Sequence, residues 1–189
     1  MRKIIIALFL ICLWGCSNNF DNWITYADAF HIGSISLPAK PNEQIDTVKN
    51  GSFTLVSSIN MASLNNEETS PATFYYNVYF PTDINEFDLF KMKQDSTIVN
   101  KLFEYMITEA KRMCNCEVIE QLYFNYPEPG VKITLLNSQT NILGVCRIII
   151  FDNYFIVTSA VGKRDNFSNS LEDKFFNTLR IIPKNRNRN

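Results

Sequence analysis

The chain has 189 residues, 18 Lys and Arg against 19 Asp and Glu, a formal net charge of −1, and 46% hydrophobic residues. That is one domain's worth of chain with enough apolar content for a real core. It carries no basic excess, which excludes nucleic acid as a partner class. The first segment is Arg2-Lys3 followed by Ile4 to Trp14, a run without charge. The run is too short to cross a hydrocarbon layer about 30 Å thick, which needs about 20 residues. It has the length and flanks of a secretory signal.

The run ends in Leu13-Trp14-Gly15-Cys16, with an aliphatic residue three before the cysteine and a small residue just before it. This pattern resembles the lipobox of bacterial lipoproteins. The resemblance implies a signal peptide over 1–15 and acylation of the Cys16 thiol. Several acyl chains such as palmitate hold a protein on a membrane, where one chain is marginal. The expected location is the bacterial cell envelope, on its periplasmic or outer-membrane face, with the membrane as partner through Cys16. Residues 16–29 then read as a lipidated tether, in which Phe20, Trp23 and Tyr26 recur every third residue. Residues 30–183 read as the folded domain and 184–189 as a disordered basic tail.

From Phe30 the pattern is that of strands. Ile32, Ser34, Ser36 and Leu37-Pro38 form a short one. Gln44 to Lys49 and Ser52 to Asn60 flank Asn50-Gly51, a pair suited to a tight hairpin because its turn needs positive φ. Leu64 to Ser70 reads as a polar loop. Thr73 to Phe80 alternates, with Phe74, Tyr76, Val78 and Phe80 on one face, and Pro81 ends it. Ser96 to Met113 is the clearest helix. Asp95 or Ser96 caps it, and Val99, Leu102, Phe103, Met106, Ile107, Ala110 and Met113 form its apolar stripe. Strands follow over Val118 to Tyr126, Val131 to Leu136, Ile142 to Phe151 and Tyr154 to Val161, with turns at Pro127-Glu128-Pro129-Gly130 and Asp152-Asn153. Ser170 to Thr178 reads as a second helix, and Ile181-Ile182-Pro183 closes the domain. The expected fold class is α+β: an antiparallel sheet packed against one long central helix and a shorter C-terminal helix.

The order of these features resembles the PsbP-like (DcrB/PsbP-type) fold of photosystem accessory proteins and small bacterial exported proteins. The matching stretches are Ile35-Ser36-Leu37-Pro38-Ala39-Lys40-Pro41, the hairpin at Gly51, Phe74-Tyr75-Tyr76-Asn77-Val78-Tyr79, and the central helix. They continue with Tyr126-Pro127-Glu128-Pro129-Gly130-Val131-Lys132-Ile133, the strand around Arg147, Asn153-Tyr154-Phe155-Ile156-Val157, and Lys174-Phe175-Phe176-Asn177-Thr178-Leu179-Arg180-Ile181. The resemblance covers roughly residues 30–183. It implies a PsbP-like sandwich and an accessory or binding role without a catalytic set.

Cys114, Cys116 and Cys146 remain once Cys12 and Cys16 are set aside. An odd number means at least one thiol free or paired to another molecule. One bridge, from Cys146 to Cys116 or Cys114, is one pairing these residues allow, and buried free thiols are the other. His31 is the single histidine, so three thiols lack a fourth partner for a zinc site. Asp83, Glu86 and Asp88 form an acidic loop without the glycine punctuation of a calcium loop. No phosphate-binding, HExxH or GxSxG motif occurs, and no metal or cofactor is expected. The aromatic excess suggests a partner-binding patch of Tyr75, Tyr79, Tyr123 and Tyr154. The expected function is a non-catalytic binding or assembly accessory with an unidentified envelope protein as partner. The alternative is a small envelope hydrolase or ligand-handling enzyme built around His31.

Overall fold

The computed structural model describes residues 23–50, 53–66, 69–82, 89–125, 128–167 and 169–182. Strand dominates them: β1 (Ile24–Ala27), β2 (Gly33–Leu37), β3 (Asn42–Asn50), β4 (Phe53–Asn66) and β5 (Thr69–Pro81) come first. Two helices follow, α1 (Leu89–Met92) and α2 (Ser96–Cys114). The chain then forms β6 (Glu117–Phe124), β7 (Gly130–Asn137), β8 (Ile142–Phe151) and β9 (Tyr154–Lys163), and ends with α3 (Asn169–Asn177) and β10 (Arg180–Ile181).

A seven-stranded sheet runs in the order β3-β4-β5-β9-β8-β7-β6, and a three-stranded sheet in the order β1-β2-β10. Every pairing is antiparallel. Alternation decides which face each side chain joins. Phe74, Tyr76, Val78, Val145, Ile149 and Ile156 turn to one face and meet Ile32, Ile35 and Leu37 of the small sheet region and Phe175 and Phe176 of α3. Val131, Ile133, Ile148, Ile150 and Phe155 turn to the other and meet Leu89, Val99, Phe103 and Ile107 of α1 and α2. The middle of the large sheet is therefore buried on both sides, by different covers, while its edge strands β3 and β6 are mostly exposed.

Local chemistry explains the helix and the turns. Asp95 is extended, and its carboxylate accepts the backbone N–H groups of Thr97 at 2.9 Å and Ile98 at 3.4 Å, which caps α2. Asn115 ends α2 in the left-handed region, with φ 50° and ψ 48°. Asp152 takes φ 49° in the hairpin that pairs Phe151 with Tyr154. Asp28 is buried and ties β1 to β2. It accepts N–H groups from Phe30, Ile32 and Gly33 and the hydroxyl of Tyr76 at 2.9 Å. Burial, then the Asp28 charge and its hydrogen bond, push the Tyr76 phenol well above its ordinary pKa.

The expected fold class is corrected by this arrangement. Strand makes up 56% of the structure in sheets of three and seven, and helix is a minor part; the PsbP-like sandwich of a sheet under one long helix is not what the chain builds. The physical reason is width. Seven strands about 4.8 Å apart span roughly 29 Å, and one helix is only about 10 Å across. Helix α2 sits over the β7 side, and a second sheet helps cover the opposite face. Two stretches read as irregular are strand. β4 and β5 continue through most of the expected polar loop, pairing Leu64 with Ala72 and Asn66 with Thr69. Likewise β1 lies inside the expected tether, with Trp23 packed edge-on against Phe74 at 5.2 Å. The turn residues 51 and 52, the acidic loop of Asp83, Glu86 and Asp88, and the segments 1–22 and 183–189 lie outside the described residues. Among the described residues, no helix is long and apolar enough to cross a membrane.

Candidate functional site

One cross-strand row on the small-sheet side of the large sheet departs from core chemistry. Register aligns Asn60, Tyr76, Thr158, Arg147, Lys132 and Leu122 across β4, β5, β9, β8, β7 and β6. The neighbouring row, Phe124, Gly130, Ile149 and Ile156, is apolar. The polar row is buried at its β4 end, where Asn60 donates to Ser58 Oγ at 3.0 Å and to the Tyr76 carbonyl at 2.9 Å. Toward β6 it opens into a cavity of about 520 Å³.

The floor of this groove is β6, β7 and β8, with Leu122, Phe124, Lys132, Arg147, Ile149 and Phe151. Its wall is the end of α3 and β10, with Phe176, Leu179, Arg180 and Ile181. The wall is anchored to the small sheet. Thr178 Oγ1 accepts the Ser36 N–H at 3.0 Å, and the Ile182 N–H donates to the Ile32 carbonyl at 2.8 Å. Gly130 shapes the floor, because a Cβ there would collide with the Phe124 ring, which lies across it.

Three cations line the groove, in different states. Lys132 is neutralised by Glu172 at 2.6 Å, with Glu120 at 3.7 Å. Arg180 donates to the carbonyls of Asn177 and Leu179 at the end of α3. Arg147 is half-buried, stacked over the Phe176 ring at 4.6 Å. No carboxylate among the described residues stands within ion-pair distance of it. Loss of hydration lowers its pKa from the ordinary guanidinium value, and the more distant Glu172 and Asp173 oppose that shift. At the rim, Glu128 is paired with Lys93 at 3.2 Å.

The residues singled out from sequence fall elsewhere. The four tyrosines do not form one patch. Tyr154 lies on the small-sheet side, against Phe30 and Phe80. Tyr79 packs with the α2 core, and alternation puts Tyr75 on the same side. Tyr123 is also on the α2 side, 6.2 Å from the Phe103 ring, but on β6, four strand steps or roughly 19 Å from β5. The cysteine arrangement differs from both readings left open, a bridge from Cys146 to Cys116 or Cys114 and three buried free thiols. Cys114 is bonded to Cys116, with Cα atoms 5.3 Å apart, and Cys146 is free. The left-handed Asn115 folds Cys116 back beside Cys114, whereas Cys146 is held two strands inside the sheet edge, and burial pushes its thiol up to about 12. His31 is exposed at φ 54°, and no hydroxyl or carboxylate among the described residues hydrogen-bonds its imidazole. Cys16 lies outside the described residues.

Lys132 and Arg147 were not singled out from sequence; the signal that could have found them is a cation inside an otherwise apolar strand, as in Val131-Lys132-Ile133 and Cys146-Arg147-Ile148. That pattern signals a strand face that is not plain core. It does not say that the two faces meet α3 and β10. Fold and site together define a mostly β protein with an amphipathic groove at one end of its large sheet. No family model matches the chain, and no curated protein matches it.

Proposed function

We propose that this chain is a lipid-anchored, non-catalytic binding accessory of the bacterial cell envelope, and that the groove of β6–β8, α3 and β10 is its binding site. The observation that carries the binding role is the groove itself: a cavity of about 520 Å³, within the roughly 300–1,000 Å³ of small-ligand sites, with apolar walls and a few placed cations. The anchoring is supported by Arg2-Lys3, the uncharged run to Trp14 and Gly15-Cys16.

Both parts are open to direct test. Cells fed a palmitate analogue should label the chain and keep it in the membrane fraction, and Cys16→Ser should lose both. Labelling that survives the substitution removes the anchor. A photo-cross-linker at Leu122, which is 58% exposed, should capture an envelope component, lipid or protein. Filling the groove with Leu179→Trp should abolish the capture. Capture indifferent to Leu179→Trp removes the groove as binding site.

A further inference from the structure

Arg147 is the group in the groove that the protein itself leaves incomplete. Its same-face neighbours along β8, Val145 and Ile149, are apolar and buried, so the guanidinium is the polar interruption of that strand's inward face. Half-burial of a charge costs hydration, which is normally offset by a counter-charge or hydrogen bonds. Stacking on Phe176 covers one face of the guanidinium and leaves its in-plane N–H groups. None of them has an acceptor among the described residues. Of the carboxylates whose charge reaches it, Glu172 is engaged by Lys132 at 2.6 Å and Asp173 stands beyond ion-pair distance, while Glu128 at the rim is held by Lys93 at 3.2 Å. Thr158, the register partner of Arg147, has a fully buried hydroxyl that also lacks a hydrogen-bond partner among the described residues. The planar N–H fork of an arginine matches a carboxylate in two parallel bonds.

We propose that the groove holds a single-chain anionic amphiphile, a long-chain carboxylate, with its head on Arg147 and its chain along Leu122, Phe124, Ile149 and Leu179. This rests on the groove being the binding site, as argued above. Charge complementarity selects the occupant. A neutral lipid leaves the guanidinium unpaired, and an inorganic anion leaves the apolar walls wet. The chain's own C-terminal stretch, with Lys184, Arg186 and Arg188, carries the same sign as Arg147 and Arg180. Arg180 at the rim adds a second positive charge that draws anions to the mouth.

The test is calorimetric titration of the full-length chain with decanoate, decanol and inorganic phosphate. Decanoate should bind once per chain, with decanol and phosphate at least about ten-fold weaker. Arg147→Gln should weaken decanoate by roughly ten- to a hundred-fold, the range for a lost charged hydrogen-bond pair, and leave decanol unchanged. Equal binding of decanoate and decanol overturns the proposal, as does a folded Arg147→Gln that binds decanoate like wild type. Should Arg147→Gln fail to fold, Arg147→Lys decides. It keeps the charge and loses the fork, so the decanoate preference over decanol should fall several-fold, and an unchanged preference overturns the proposal. Arg147-dependent binding to phosphatidylglycerol vesicles, without decanoate binding, overturns it in favour of a membrane-surface contact. Loss of decanoate binding alone, with the Leu122 capture still sensitive to Leu179→Trp, overturns this ligand and leaves the binding reading standing. Loss of both removes both.

Discussion

Glu104, Gln121 and Tyr123 show how a surface contact between elements is built from single groups. The Tyr123 hydroxyl donates to Glu104, and Gln121 Nε2 donates to the same carboxylate oxygen at 2.8 Å, joining β6 to α2. The Tyr123 bond first, then that from Gln121, hold the Glu104 pKa below its ordinary value. A depressed carboxylate pKa contributes stability above the unfolded-state pKa, and that contribution is lost as pH falls through the folded value. Tyr123→Phe should therefore raise the Glu104 pKa toward the free-residue value and reduce the loss of stability on acidification below pH about 4. Carbon-13 titration of the Glu104 carboxyl reads the first effect and urea unfolding at two pH values the second; an unmoved titration would contradict the contact. On the other partner, burial and the Glu104 bond push Tyr123 up to about 12. Cys146 illustrates a residue whose chemistry is set by place alone, since desolvation is the one cause of its raised pKa.

At the scale of elements, α2 was the most legible part of the chain. Its cap and stripe are both local: Asp95 precedes it, and Val99, Phe103 and Ile107 are the buried residues of its stripe. Asp95→Ala should cost about 1 kcal/mol, the usual loss for an N-cap, read as a lower urea midpoint with unchanged slope and as faster amide exchange at Thr97 and Ile98. No midpoint change would mean that the cap is replaced by solvent. The hairpin of β8 and β9 was legible for a similar reason, because Asp152-Asn153 separates two apolar runs. The β4–β5 hairpin was not. Its outer part is polar by composition, and residues 64–66 and 69–72 are strand because a long ladder continues past the core. Part of the expected tether was not legible as strand, because three-residue spacing of Phe20, Trp23 and Tyr26 lacks the two-residue alternation of a strand. Edge pairing with β2 and the Trp23–Phe74 contact settle the local conformation of Ile24–Ala27 as strand.

Across the whole molecule, the large sheet belongs to two cores at once. Phe74 is fully buried in one and Phe103 nearly so in the other. Truncating either to alanine should cost about 3–5 kcal/mol, and thermal unfolding should stay a single transition in both variants because the shared sheet couples the two sides. Calorimetry that splits into two transitions for Phe103→Ala would show the α2 side to be a separate unit. The groove needs the second sheet, since the α3–β10 wall is fastened to β2 as well as to Lys132 and Arg147 of the floor. By itself the sequence determined where helix α2 and most strands run and which face of Thr73 to Phe80 joins the core, because periodicity and capping act over a few residues. Tertiary structure alone decided the strand order, the second sheet, the separation of the four tyrosines and the convergence of Arg147 with Phe176. Those depend on which distant segments lie side by side, and no local pattern of side chains encodes that.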